Sequence, residues 1–154
     1  GLGDVYKRQA LGWGQQEAKT KDANIFYVKS VPHDWLFPHM AGAVHHGGAG
    51  TTATSLRHAL PTLVVPFGGD QPFWAERVYA AGCGPKAIPR DKLTAENLAE
   101  GLRALISNPE YTRNAACIGE ALRNEHGCAN AADLIEKAVW DWENGNPAQD
   151  VMNI

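Results

Sequence analysis

The chain has 154 residues, a net charge of −3 and an ordinary apolar content, enough for one domain with a hydrophobic core. The sequence shows neither a basic nucleic-acid surface nor a polybasic membrane patch, and no apolar run approaches the roughly 20 residues that span a bilayer. We therefore expect no nucleic-acid partner. Cys83, Cys117 and Cys128 form no C-x-x-C pair, which argues against a disulfide framework and mildly favours a reducing compartment.

The two ends of the chain differ in pattern from the rest. The first nine residues, GLGDVYKRQ, contain no Met and no clear periodicity, so we interpret residues 1–9 as a non-native leader and the chain as a fragment. Residues 10–144 are predicted to form one domain. Residues 145–154 are predicted to be a loose tail.

Three short apolar runs predict strands. The first is aromatic and β-branched and is interrupted by Pro32, and the third is almost wholly apolar, as expected for a strand covered on both faces. A short edge strand is also predicted in GPKAIP. The three runs are ANIFYVKSV (23–31), AGAVHH (41–46) and PTLVVPF (61–67).

Helical patterns separate and follow the strands. Asp70 is placed to cap a helix over residues 70–82, with Pro72 in its first turn and Gly82 at its end, and Thr94 caps a later helix. This alternation predicts a Rossmann-like α/β fold, a parallel sheet flanked by helices. DWLFPHM (34–40) is predicted to be a short helix or a turn, limited by Pro38. The other predicted helices are AGTTATSLRHAL (49–60), one from Asn108-Pro109 to Gly127, and a last one with Leu134, Ile135, Ala138 and Trp142 facing inward.

Two segments of unusual composition follow neighbouring predicted strands. Residues 45–50 follow one strand and residues 68–71 follow the next. Ligands of parallel sheets lie at the carboxyl ends of the strands. We therefore expect the two segments to meet at one rim of the sheet.

The first of these segments, HHGGAGTT, has the composition of an anion site. A helix that begins near residue 49 leaves its first N–H groups without partners, carrying about half a positive charge. Glycines let a ligand approach the backbone, threonines add hydroxyls, and a histidine adds an N–H or a cation. We predict a phosphate or diphosphate site, the alternative being a structural turn without ligand. Its residues are His46, Gly47, Gly48, Ala49, Gly50, Thr51 and Thr52.

A metal site is the weaker interpretation of the same histidines. Adjacent histidines on a strand point to opposite faces, so one metal ion rarely binds both. His33, His39 and His58 are nearby in the sequence but show no ligand spacing. We therefore predict no metal.

The second segment places Asp70 and Gln71 together after PFGG. A carboxylate and an amide can accept hydrogen bonds from the hydroxyl groups of a sugar and donate to them. Taken alone, the pair is better explained by Asp70 capping its helix. Beside a diphosphate site, the sugar interpretation gains weight.

Four aromatic side chains flank these segments. They could contact an acceptor molecule, but aromatic side chains near loops more often pack in the core. We favour core packing. The four are Trp35, Phe37, Phe73 and Trp74.

The stretch VPHDWLFPHMAGAVHHGGAGTTATSLRHALPTLVVPFGGDQPFW resembles the donor-binding half of a GT-B glycosyltransferase. More narrowly, it is similar to the sterol 3-β-glucosyltransferase group, with bacterial macrolide and glycopeptide glycosyltransferases as near relatives. The similarity spans about residues 23–106. Its specificity comes from the motifs H-H-G-G-x-G-T-T, P-T-x-V-V-P-F and G-D-Q-P-F-W occurring in this order and at these distances.

The resemblance implies roles for the two segments. His46 and residues 48–52 would hold the diphosphate of a UDP-sugar, while Asp70 and Gln71 would hold hydroxyls of the donor glucose. It also implies an acceptor hydroxyl that attacks the anomeric carbon with inversion, UDP as the leaving group, and no metal or other cofactor, since helix dipole and side chains stabilise the leaving charge. The segment beside uracil and ribose would be Val31, Pro32 and His33.

The chain departs from the plant small-molecule glucosyltransferases at two positions and from a common pattern at a third. Ser30 stands near the place of a Trp that stacks on uracil, and Thr54 near the place of an acidic ribose ligand. The sterol-type group shares these two departures, so they narrow the family. Gly68 stands where an aromatic residue is common, which puts a packing or sugar contact in doubt.

A whole enzyme of this type also has an N-terminal Rossmann domain, which binds the acceptor and supplies the catalytic base. On the resemblance, ALGWG (10–14) would end the second strand of the donor domain, so the domain is incomplete at its N-terminus. The catalytic residue is therefore unknown, and His45 is not given that role. The fragment alone is expected to be inactive.

These observations lead to one functional hypothesis and its alternatives. The hypothesis is a UDP-sugar-dependent donor domain that transfers glucose, from UDP-glucose, to a sterol or other lipid-like hydroxyl. Its expected location is cytoplasmic, with peripheral membrane association of the parent protein left open. The alternatives are a non-catalytic nucleotide- or carbohydrate-binding fragment, a glycosyltransferase with a different small-molecule acceptor, and a sugar-nucleotide epimerase of the same fold.

Overall fold

A computed structural model describes residues 7–10, 23–28 and 30–145. The chain divides into two units, Gly1–Leu122 and Arg123–Ile154. Short 3-10 turns lie at Phe37–His39 and Arg90–Lys92. In chain order, the described strands and helices are β1 (Lys7–Ala10), β2 (Ile25–Val28), α1 (His33–Leu36), β3 (Ala43–His45), α2 (Ala49–Arg57), β4 (Thr62–Val64), α3 (Gln71–Ala80), α4 (Ala95–Ser107), α5 (Pro109–Asn124) and α6 (Gly127–Glu143).

The described strands pair in parallel. β1 pairs with β2, with Lys7 opposite Ile25, and β3 pairs with β4, with His45 opposite Val64. Parallel strands alternating with helices confirm the predicted Rossmann-like α/β class. Three of the nine residues interpreted as a leader lie in β1. Their non-native origin stays a prediction, and most of the predicted tail lies outside the described residues.

The regular strands are shorter than their apolar runs. β4 covers three residues, although the Val65 N–H still donates to the His45 carbonyl at 2.8 Å. The predicted edge strand in GPKAIP is not a strand. Its chain lies beside β4 and the Ile88 N–H donates to the Val64 carbonyl at 3.0 Å, but Pro85 and Pro89 have no N–H to extend the ladder.

The core of the first unit is built on β4. Thr62, Leu63 and Val64 are almost completely buried, which confirms a strand covered on both faces. Side chains from α2, α3, α5 and the loop after α3 pack in the same core cluster. The buried members of that cluster besides Val64 are Leu56, Ala75, Val78, Cys83 and Ala115. All three cysteines are free.

Most predicted helix boundaries hold within a few residues. Thr94 caps α4 through its hydroxyl, which accepts from the Asn97 N–H at 3.2 Å, while Asn97 completes a capping box. α2 ends at Arg57, three residues before its predicted end. Gly127 was predicted to end α5, but α5 ends at Asn124 and Gly127 is the first residue of α6.

The predicted inward face of α6 is wrong. No residue of α6 is buried, and Leu134, Ile135, Ala138 and Trp142 are all exposed, Trp142 at 81%. Helical periodicity identifies an apolar stripe, but it does not identify what covers that stripe. Within the described ranges, every helix is too short or too polar to cross a membrane.

Candidate functional site

The turn between β3 and α2 requires glycine at residue 47. Gly47 has a φ of +92°, a left-handed conformation that side chains rarely adopt. A Cβ there would also lie 2.6 Å from Cγ1 of Val64. The turn therefore brings the backbone of Gly47 directly against β4.

The N-terminus of α2 is uncapped. Its N-cap residue, Gly48, has no side chain, and the first bond within the helix runs from the Thr52 N–H to the Gly48 carbonyl at 2.9 Å. The N–H groups of residues 49–51 thus have no acceptor in the described part of the chain. These groups carry the positive end of the helix dipole and can donate to an anion.

His46 lies at the entrance of this helix. Its side chain is exposed, and a Cβ added to Gly48 would come within 2.6 Å of the His46 Nε2. The imidazole is therefore folded against Gly48, next to the unpaired N–H groups. One bound anion can reach both the ring and the helix terminus.

His45 has a different environment. Its Nδ1 accepts a hydrogen bond from the Gly47 N–H at 3.0 Å. Burial, followed by the charges of His46 and His33, lowers the pKa of His45 to about 4, so its ring is neutral at pH 7. Its proton is then on Nε2, which is buried and has no partner among the residues described. His45 thus supports the turn with Nδ1.

The turn before α3 is closed by Gln71. The Gln71 Oε1 accepts hydrogen bonds from the N–H groups of Phe67, at 2.8 Å, and Gly68, at 3.3 Å. The two amide hydrogens of Gln71 make no hydrogen bond within the described part of the chain. Gln71 can therefore act as a donor to a ligand.

Asp70 does not cap α3, contrary to the expectation for the residue taken alone. It is the N-cap residue, but its φ of −81° and ψ of −7° are helical, whereas a capping side chain needs an extended backbone. Its carboxylate instead accepts a hydrogen bond from the indole Nε1 of Trp74, at 2.9 Å. The carboxylate is exposed and held from one side.

The two segments meet, as predicted from the strand order. A Cβ on Gly47 would lie 3.2 Å from the carbonyl oxygen of Gln71 and 3.7 Å from its Cβ. The uncapped end of α2 and the start of α3 therefore line one edge of the β3–β4 pair. This edge is the candidate site.

The segment Val31, Pro32 and His33 lies at the start of α1. The Pro32 carbonyl accepts from the N–H of Trp35, and the His33 ring stacks on Phe37 with 4.7 Å between centroids. His33 is close enough to His45 to lower the pKa of that residue. The segment therefore lies within electrostatic range of the glycine turn.

The two threonines of the motif differ. Thr51 is partly exposed, whereas Thr52 is 3% exposed and its buried hydroxyl has no hydrogen-bond partner in the described ranges. The Thr52 N–H is used inside the helix. The assignment of Thr52 to the diphosphate site stays a prediction that this burial does not favour.

The expected core packing of the aromatic residues is correct for Phe37 alone. Phe37 is buried, whereas Trp35 and Phe73 are 63% and 57% exposed. Trp74 is partly buried and bonds Asp70, a role that the sequence analysis missed. The sequence signal for this hydrogen bond is the spacing of four residues between Asp70 and Trp74, which places their side chains on the same face of a helix.

No group of three potential metal ligands among His, Cys, Asp and Glu side chains comes together in the described residues. The rings of His45 and His46 are 6.3 Å apart between centroids. The hydrogen-bond donors at the candidate site are the N–H groups of residues 49–51 and the ring of His46.

Solved structures define the class of protein. The glycotransferase of kitacinnamycin has a TM-score of 0.77 and 26% identity, over 86% of this chain and 34% of that one. Glycosyltransferase VinC, solved in complex with DTDP, has a TM-score of 0.61 and 33% identity, over 66% and 26%. The fold is thus that of a GT-B glycosyltransferase domain.

A family model narrows this class. The model described as the C-terminal domain of erythromycin biosynthesis protein CIII-like proteins matches residues 14–136. The chain belongs to this family.

Curated proteins with similar sequences are named as glycosyltransferases as well. A sterol 3-beta-glucosyltransferase of Arabidopsis thaliana, UGT80B1, is 44% identical over 82% of the chain and 21% of its own length. That of Saccharomyces cerevisiae strain YJM789 is 41% identical over 86% and 11%. The chain spans about a fifth of the plant relative.

Proposed function

We propose that this chain is the donor-binding domain of a UDP-sugar-dependent glycosyltransferase that transfers glucose to a sterol or other lipid-like hydroxyl. The observation that carries the proposal is the contact between the uncapped start of α2, with His46 beside it, and the turn holding Asp70 and Gln71. The relatives named sterol 3-beta-glucosyltransferases and the dTDP complex of VinC support it.

The diphosphate of the donor binds at the start of α2. The N–H groups of residues 49–51 and the imidazole of His46 donate to its oxygens, and the helix dipole adds a favourable potential. The glycines at 47 and 48 keep side chains out of the way, so that phosphate oxygens reach the backbone. No metal ion is required in this arrangement, because N–H donors take over the charge.

The sugar binds against the start of α3. The Asp70 carboxylate accepts hydrogen bonds from two sugar hydroxyls, and the free amide hydrogens of Gln71 donate to a further oxygen. The contact between Gly47 and Gln71 sets the sugar site directly next to the diphosphate site. The nucleoside lies toward Val31, Pro32 and His33.

The reaction is a displacement at the anomeric carbon. An acceptor hydroxyl forms a new C–O bond to that carbon from the face opposite the diphosphate, its proton passes to a base, and the bond to the UDP oxygen breaks. The configuration is inverted. The donors at the start of α2 stabilise the negative charge that develops on UDP. The base is not assigned to a residue of this chain, and we place the reaction in the cytoplasm or at a membrane surface.

Calorimetric titration of UDP into the full chain tests the diphosphate site. His46→Ala removes a donor at the helix entrance and is expected to weaken UDP binding about tenfold, from the loss of one hydrogen bond to a charged group. The matched control is His126→Ala, which alters an exposed histidine at the start of α6. UDP affinity in this control is expected to stay within about twofold of the unmodified chain.

Two results would contradict the proposal. One is the absence of measurable UDP binding to a folded, unmodified chain, with folding checked by circular dichroism. The other is equal UDP affinity in His46→Ala and in the unmodified chain.

A further inference from the structure

The side chain of Trp74 forms a hydrogen bond with Asp70, one of the two residues proposed to bind the sugar. Its indole Nε1 donates to Oδ2 of Asp70 at 2.9 Å, and its backbone N–H donates to the Asp70 carbonyl at 3.2 Å. Trp74 is partly buried, and its ring packs edge-on against Phe73 with 5.1 Å between centroids. The indole is thus partly shielded from solvent, whereas the carboxylate that accepts its hydrogen bond is exposed.

This hydrogen bond determines how Asp70 meets a ligand. An exposed carboxylate samples several rotamers, and restricting it to the one that binds a ligand costs conformational entropy. A hydrogen bond from the indole to Oδ2 favours one rotamer of Asp70 before the ligand binds and leaves Oδ1 to accept from the ligand. Gln71 is held in a similar way by the Phe67 and Gly68 N–H groups. The side chains of Asp70 and Gln71, which are proposed to bind the sugar, are thus both oriented by hydrogen bonds from neighbouring residues.

We propose that Trp74 is a positioning residue for the sugar of the donor, acting through Asp70. This inference rests on the proposed function and deepens it. Trp74 contributes to the affinity for the hexose and not to the affinity for the nucleoside diphosphate, because its bond is to Asp70 and not to the turn before α2. It makes no contact with the reacting atoms in this account.

The test compares two ligands. Trp74→Phe keeps an aromatic ring and the backbone hydrogen bond but removes the indole N–H. It is expected to raise the Kd for UDP-glucose about fivefold, while the Kd for UDP stays within about twofold. Trp142→Phe is the matched control, since Trp142 is 81% exposed and lies on α6, and both Kd values are expected to be unchanged.

A double-mutant cycle separates positioning from a general structural effect. Asp70→Ala is expected to weaken UDP-glucose at least as much as Trp74→Phe does. If Trp74 acts through Asp70, adding Trp74→Phe to Asp70→Ala changes the Kd no further. A general loss of packing in Trp74→Phe would instead weaken the binding of both UDP and UDP-glucose, and the effect would persist in the Asp70→Ala background. That result would overturn the inference.

The indole N–H signal of Trp74 in an NMR spectrum gives a second readout without any change to Trp74. The signal is expected to shift when UDP-glucose is added and to stay in place with UDP, and Asp70→Ala is expected to displace it. A signal insensitive to both UDP-glucose and Asp70→Ala would overturn the inference.

The failure of the inference can be distinguished from that of the proposed function. If Asp70→Ala weakens UDP-glucose binding and Trp74→Phe does not, the sugar site stands and the role of Trp74 is wrong. If Asp70→Ala leaves UDP-glucose affinity unchanged, the sugar site itself is wrong, and the role of Trp74 with it.

Discussion

At the scale of single residues, the two adjacent histidines of the motif have separate tasks. His45 is partly buried and its Nδ1 accepts from the Gly47 N–H, whereas His46 is exposed beside the start of α2. Alternation along the strand sends neighbouring side chains to opposite faces, which disfavours a metal ion bound by both rings. The same alternation separates a supporting histidine from a ligand-facing one. The sequence could not show this division, because it depends on the burial of each ring.

The lowered pKa of His45 makes the stability of the chain depend on pH. The pKa falls from an ordinary 6.5 to about 4 on folding, so between these values the unfolded state binds more protons than the folded state. This contribution to stability is fully present above pH 6.5 and is lost as the pH falls to 4. The loss is on the order of 3 kcal/mol, at about 1.4 kcal/mol for each pKa unit.

Urea unfolding at pH 7 and pH 4 measures this loss against a His45→Asn variant. Asn does not titrate, and its side-chain oxygen can still accept from the N–H two residues on, as His45 does. We expect the unmodified chain to lose about 3 kcal/mol more than the variant over this range. Equal losses in the two proteins would show that His45 is not the group responsible.

At the scale of elements, the site is built from the starts of two helices. α2 begins without a capping side chain. At the start of α3, the carboxylate of the N-cap residue Asp70 accepts a hydrogen bond from the indole of Trp74. The sequence could not show whether the Asp70 carboxylate would accept from a backbone N–H of α3, as a cap does, or from the indole of Trp74. The helical backbone of Asp70 does not suit capping, and the carboxylate accepts from the indole. An uncapped helix start is less stable by itself, and this leaves its donors available to a ligand.

The β3–α2 turn gives a matched pair of glycine substitutions. Gly47→Ala places a methyl group 2.6 Å from Cγ1 of Val64 at a φ of +92°, so we expect it to lower the free energy of unfolding by about 2 kcal/mol or more. Gly50→Ala adds the same methyl group within α2, where nothing lies within 4 Å, and is expected to be neutral or to stabilise by up to about 1 kcal/mol.

Denaturant unfolding of both variants checks this expectation. If Gly47→Ala is no less stable than Gly50→Ala, the turn does not require glycine at residue 47, and the close approach of its backbone to β4 is wrong.

Other elements show where sequence patterns stop being informative. The cap of α4 at Thr94 was predictable because the hydrogen bonds are local. The length of β4 was not, because it depends on which neighbouring backbone supplies partners, and Pro85 and Pro89 interrupt that supply. The apolar stripe of α6 was visible in the sequence, but its side chains are exposed. Periodicity describes one element, while burial depends on others.

At the scale of the whole molecule, the order of strands and helices sufficed to predict both the fold class and the meeting of the two segments. This succeeded because parallel strands place their carboxyl ends at one edge, whatever the details of each strand. The contact of Gly47 with Gln71 lies at that edge. The chain spans about a fifth of the length of the plant relative that it matches.

The most direct test of the diphosphate site is a backbone NMR titration of the full chain. With UDP, and also with inorganic pyrophosphate, we expect the largest amide shifts at residues 48–51. With UDP-glucose, additional shifts are expected at Asp70 and Gln71. Amides at residues 48–51 that do not respond to a bound UDP, or largest shifts in a different part of the chain, would contradict the account.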